Sequence, residues 1–139
     1  MARYLIVAHK SLGGERLLSE VRSRHERGDA EFHLLVPVTH PGDHAWSDEE
    51  CEATARKVLD RALDRFEELG VKVTGEVGDA NPVYAVDTLL QRGEQFDEII
   101  LSTLPPGVSR WLKLDVHTRV SNAVPMPVTH VIGEREPTG

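Results

Sequence analysis

Apolar residues recur along this chain in two rhythms: short continuous runs, and longer stretches at helical spacing. Arg3 to Ala8 (RYLIVA) is the first run and predicts a strand. In ERLLSEVRSRHER, Leu17, Leu18 and Val21 share one helical face, and Gly28 suits the residue just past the helix end. Glu31 to Val38 (EFHLLVPV) predicts a second strand, with Pro37 at its end or edge because proline cannot donate to a ladder. Thr39 to Trp46 is a Pro-Gly loop, and Ser47-Asp48-Glu49-Glu50 is a capping box that opens a long helix. Ala55, Val58, Leu59, Ala62, Leu63, Phe66 and Leu69 keep the i, i+3, i+4, i+7 spacing until Gly70. Val71 to Val77 predicts a third strand with one solvated face. Asn81 and Pro82 then suit the N-cap and first turn of a helix carrying Val86, Leu89 and Leu90, closed by Gly93. Asp97 to Ser109 (DEIILSTLPPGVS) predicts a fourth, buried strand running into a polar loop. Leu112, Val116, Val120 and Val124 predict the last helix, and Val128 to Ile132 the fifth strand.

Five strands alternating with helical patterns give an α/β fold, a parallel sheet with right-handed crossovers and helices on both faces. Residues 1–133 form one domain on this reading, and 134–139 a polar tail. Of the 139 residues, 40% are hydrophobic and 28% charged, ordinary for a globular chain that can bury a core. The net charge of −7 argues against a nucleic-acid binder, which needs a basic surface. No apolar run reaches the length of a membrane span, and the start MARYLIVAHK is too short for a signal-peptide core. The single cysteine, Cys51, excludes an intrachain disulfide and fits a reducing, cytoplasmic setting.

In open parallel sheets, ligands bind beyond the carboxyl ends of the strands. The first strand delivers His9, Lys10 and Ser11 there. The second delivers Val38 and Thr39, and the third Gly78 and Asp79. The fourth delivers Ser102 and Thr103, and its loop brings Gly107, Ser109 and Arg110. Hydroxyls and backbone amides with Lys10 and Arg110 suit a small anion or phosphate ester. The plainer alternative is that the hydroxyls satisfy a loop corner and the cations are solvated. His40 and His44 have metal-ligand spacing only on a helix, and Pro41-Gly42 makes theirs a loop, so no metal is assigned. Neither G-x-S-x-G, nor G-x4-G-K-[ST], nor G-x-G-x-x-G occurs. Ser102, His9 and Asp79 are a weak candidate relay, and no catalytic residue is assigned. Trp46 and Trp111 are candidates for a lid or an interface. The last strand should lie at a sheet edge, where unpaired backbone groups invite a second copy of the chain.

Gly78-Asp79 with Pro82, the strand FDEIILST, and the ending VPMPVTHV, in this order and spacing, resemble the universal stress protein family over nearly the whole chain. The resemblance implies a doubly wound, Rossmann-like sheet in the order 3-2-1-4-5, a homodimer joined through the last strand, Val128 to Ile132, and a role in the stress response. It also implies, for many relatives, ATP held by a loop of pattern G-x2-G-x9-G-[ST]. Counted back from Pro127, those glycines fall here on Leu101, Leu104 and Leu114, and the hydroxyl residue on Asp115. An acidic residue expected after the first strand is His9. The second strand ends near Pro37, which has no N–H for an adenine. The chain thus looks closer to the branch that does not bind ATP. The resemblance implies a non-catalytic regulatory or ligand-binding module. The alternative is a nucleotide or phosphate-ester binder, even a slow hydrolase, using a remodelled loop 102–110.

Overall fold

The computed structural model describes residues 2–8, 14–38, 47–103 and 115–133. Five strands, β1 (Ala2–Val7), β2 (Ala30–Pro37), β3 (Lys72–Gly78), β4 (Glu98–Thr103) and β5 (Val128–Ile132), form one parallel sheet in the order β3-β2-β1-β4-β5. Among the described residues, four helices lie between them: α1 (Glu15–Glu26), α2 (Asp48–Glu68), α3 (Pro82–Gln91) and α4 (Val116–Ala123). The expected α/β class and strand order are therefore both present.

Alternation along the strands divides the core in two. Ile6, Phe32, Leu34, Val36 and Ile100 face one side, where Leu17, Leu18 and Val21 of α1 and Leu59 and Phe66 of α2 cover them. Leu5, Val7, Leu35, Ile99 and Leu101 face the other, beneath Ala85, Val86 and Leu89 of α3 and Val116 and Val120 of α4. The central strands β1 and β4 are apolar in a row because both of their faces are covered. The edge strand β3 is not so constrained, and Thr74 and Glu76 occupy its second face.

Local signals act as written. Ser47 Oγ accepts from the Glu50 amide at 3.1 Å and starts α2. Asn81 Oδ1 accepts from the amides of Val83 and Tyr84, and Pro82 follows at the first helical position. One expectation fails: Val124 does not continue the last helix but is extended (φ −128°, ψ 152°). Pro125 follows it, and the proline ring crowds an α conformation in the preceding residue.

At the amino ends of β4 and β5, α1 is tied to the sheet by a buried charge. Arg24 is 6% exposed and donates to Glu98 through Nε (3.0 Å) and Nη2 (2.6 Å). It also pairs with Glu20 and lies 5.7 Å from the centre of the Tyr4 ring. Thr129 of β5 donates to the same Glu98 carboxylate. Burial alone would raise the Glu98 pKa, but the hydrogen bonds from Arg24 and Thr129 outweigh it and hold the carboxyl below its ordinary range.

Among the described residues, no helix is long and apolar enough to cross a membrane.

Candidate functional site

The crevice expected at the carboxyl ends of the strands is built, in its described part, by the ends of β1 to β4. His9, Lys10, Ser11, Thr39, Gly107, Ser109 and Arg110 lie outside the described residues, as do His40, His44, Trp46 and Trp111. Val38, Gly78, Asp79, Ser102 and Thr103 are described.

β2 and β3 stay paired to their last residues, with Pro37 opposite Gly78. The ladder then takes one more step: the Val38 N–H donates to the Gly78 carbonyl at 3.0 Å. Pro37 has no N–H, and the next amide is already spent on the neighbouring strand. The end of β2 therefore presents no unspent main-chain donor at these two positions. Gly78 itself is closely packed. A Cβ there would stand 2.7 Å from Leu35 Cδ1 and 3.1 Å from Ala85 Cβ, so α3 rests directly on the strand end. Asp79 serves the turn that follows: its Oδ1 accepts from the Asn81 amide at 2.9 Å.

Ser102 and Thr103 close β4, opposite Val131 and Ile132 of β5, and are 1% and 3% exposed. Because consecutive strand residues point to opposite faces, the two hydroxyls do not converge. Ser102 follows Ile100 onto the α1/α2 side, and Thr103 follows Leu101 onto the α3/α4 side. Thr103 Oγ1 is hydrogen-bonded to His130 Nε2 at 2.9 Å. The His130 ring stacks on His117 of α4, with centroids 4.8 Å apart and planes 26° apart. Burial, and then the neighbouring His117, lower the His130 pKa from the ordinary imidazole value. The His130 ring thus joins the Thr103 hydroxyl of β4 to the His117 ring of α4.

This Thr103–His130–His117 group escapes sequence reasoning, because its members lie on three elements. The period-two position of His130 beside Val131 places it on the α3/α4 side; nothing local selects His117 as its neighbour. Leu101, where the glycine motif of ATP-binding relatives would begin, is fully buried in mid-strand, opposite Val7 and His130. Asp115, where that motif's hydroxyl residue would fall, is at the N-cap of α4 in the left-handed region (φ 53°) and makes no side-chain cap. The described part of the crevice thus holds a Val38 amide committed to β3 and two buried hydroxyls. At the end of β2 it offers no free main-chain donor to an adenine.

No family model matches the chain, and no curated protein matches it in sequence. Solved structures do match in fold. A universal stress protein family protein from Arabidopsis thaliana, solved with AMP bound, superimposes with a TM-score of 0.66 at 12% identity. That match covers 100% of this chain and 96% of that one. A universal stress protein from Archaeoglobus fulgidus gives 0.60 at 15% identity, covering 94% of this chain and 93% of that one. The chain has the universal stress protein fold.

Proposed function

We propose that this chain is a cytoplasmic regulatory or ligand-binding module of universal-stress-protein type, dimeric and non-catalytic, that does not hold ATP in the manner implied for the ATP-binding branch. The observation that carries this reading is the end of β2. An adenine held there needs main-chain donors, Pro37 has none, and the Val38 N–H is committed to Gly78. The leucine at the head of the glycine motif supports it, because Leu101 is a core residue and cannot become part of a phosphate loop without opening the sheet. The ligand, where one is used, is a small anion that meets the chain where it leaves β4 after Thr103 and continues to Arg110.

Dimerisation is proposed through β5. Among the described residues this strand pairs only with β4, and Val128, Thr129, His130 and Ile132 remain half-buried along it. A second copy would extend the sheet or cover this edge.

A second reading has one observation in its favour: the Arabidopsis protein of this fold carries AMP. On that reading a remodelled loop 102–110 binds a nucleotide or phosphate ester without the usual glycines. One experiment separates the two. Thermal shift is measured with ATP, ADP, AMP, a cyclic nucleotide and inorganic phosphate, each with and without magnesium. A ligand at a hundred times its dissociation constant adds about 2.7 kcal/mol and moves the midpoint visibly. The first reading predicts a flat response to every adenine nucleotide; a clear shift with AMP or ATP that phosphate alone does not give establishes the second.

A further inference from the structure

On the α3 side of the β3 edge, three metal-ligating side chains from different elements meet. His33 of β2, Glu76 of β3 and Glu94 beyond α3 bring one ligand atom each to within 4.8 Å of one another. His33 Nε2 lies 3.2 Å from Glu76 Oε1. The other ring nitrogen, Nδ1, is 2.7 Å from the Thr74 hydroxyl, which sets the plane of the imidazole. Into the space between the two carboxylates reaches Arg92, the C-cap residue of α3. Its Nη2 is 2.7 Å from Glu76 Oε1 and 2.9 Å from Glu94 Oε2. Burial would raise the Glu76 pKa, but hydrogen bonds from Arg92 and His33 outweigh it and hold the carboxyl below its ordinary value.

We propose that His33, Glu76 and Glu94 form a divalent transition-metal site, of the class that takes Zn2+, whose cation position the Arg92 guanidinium fills until an ion displaces it. Four observations fit an ion better than an ordinary surface ion-pair network. The donor set is one imidazole and two carboxylates, which suits a borderline divalent ion and leaves a position for water. The imidazole has a hydroxyl partner on its far nitrogen, the support that metal-bound histidines use. The Arg92 side chain is 49% exposed and hangs from a helix end, so it can swing to solvent without opening the core. His33, Thr74 and Glu94 also line an open depression of about 580 Å3, from which an ion reaches two of the three ligands. The Thr74 hydroxyl works in both states. With Arg92 in place, Nε2–H donates to Glu76 and Thr74 donates to Nδ1. With an ion in place, Nε2 offers its lone pair, the ring proton sits on Nδ1 and Thr74 accepts it. Arg3 lies 3.5 Å from Glu94 and is shared with Glu31, and it remains to balance the second carboxylate; Lys72 lines the same depression.

The site uses none of the crevice residues, so its fate is independent of the proposed function. The test is calorimetric titration of tag-free protein with zinc chloride in a non-coordinating buffer near neutral pH. One saturable site is expected. His33→Ala, Glu76→Gln and Glu94→Gln each weaken it by about tenfold or more, and Thr74→Val by a similar factor through the loosened ring. Arg92→Ala tightens zinc binding, because the internal competitor is gone; a purely structural ion-pair network predicts no such gain. His25→Ala, on the exposed face of α1, leaves binding unchanged. Circular dichroism confirms that each variant is folded, and Glu94→Gln, at a half-exposed position outside the strands, is the variant safest from misfolding. Absence of zinc binding overturns the proposal. So does zinc binding that survives both His33→Ala and Glu94→Gln, or that weakens in folded Arg92→Ala.

Discussion

Removing Arg24 should destabilise the protein far more than neutralising its partner, and the difference follows from who remains behind. Arg24→Ala deletes a guanidinium that is 6% exposed and leaves the Glu98 carboxylate, 18% exposed, with the Thr129 hydrogen bond and the charge of Arg27. Breaking a buried pair by removing one partner costs about 3–5 kcal/mol, and the remaining support from Thr129 and Arg27 puts this case at the low end. Glu98→Gln keeps the shape and an acceptor for Arg24, whose charge still meets Glu20, 43% exposed and able to follow it. That change should cost about 1–2 kcal/mol. Replacing both, as Arg24→Met with Glu98→Met, removes two buried charges together and keeps an unbranched side chain against Tyr4. The double variant should lie within about 1 kcal/mol of the parent. The assay is urea unfolding followed by circular dichroism, with the midpoints compared at an unchanged slope. Glu98 also fixes an acid limit. Its folded pKa lies below its unfolded value, so its contribution is present above the unfolded pKa and is lost as pH falls through the folded one. Glu98→Gln should flatten the parent's loss of stability in that acid range. An Arg24→Ala penalty under about 1 kcal/mol, or a double variant as unstable as Arg24→Ala, would refute the reasoning.

Gly78→Ala places a Cβ 2.7 Å from Leu35 Cδ1 and 3.1 Å from Ala85 Cβ, so it should cost about 1–3 kcal/mol, read as a lowered urea midpoint. Asn81→Ala removes the cap shared by the Val83 and Tyr84 amides and should cost about 1 kcal/mol, with faster amide exchange confined to the first turn of α3. His130 binds its proton less readily folded than unfolded, so stability should fall as pH is lowered from the ordinary value of 6.5 toward its folded pKa, then level off. An NMR titration that places His130 at or above 6.5 contradicts that placement of the ring.

What the sequence carries well here is local. Leu17, Leu18 and Val21 meet the core because helical spacing alone puts them on one face, and Ser47 and Asn81 start helices because a side-chain oxygen satisfies an amide two or three residues on. The buried run Ile99–Leu101 declares a central strand without help from any other segment. What is not legible depends on register between distant strands. Arg24 and Glu98 are far apart in sequence and meet only because α1 crosses the ends of β4 and β5. Ser102 and Thr103 look like a matched pair of hydroxyls, yet the pleat sends them to opposite faces. Pro37 signals a missing donor, but the engagement of the Val38 amide with Gly78 follows from pairing that continues past the strand end. His33, Glu76 and Arg92 carry no shared spacing at all; parallel pairing and the end of α3 assemble them.

The central claim is that the end of β2 no longer receives an adenine, and a titration of nitrogen-labelled protein with magnesium ATP, followed residue by residue in amide NMR spectra, tests it most directly. The Val38 and Gly78 amide signals are expected to stay in place throughout, even if phosphate groups move signals at Ser102 or Thr103. A saturable movement of the Val38 signal with ATP that inorganic phosphate does not reproduce would contradict it, because that amide would then have left Gly78 for the base.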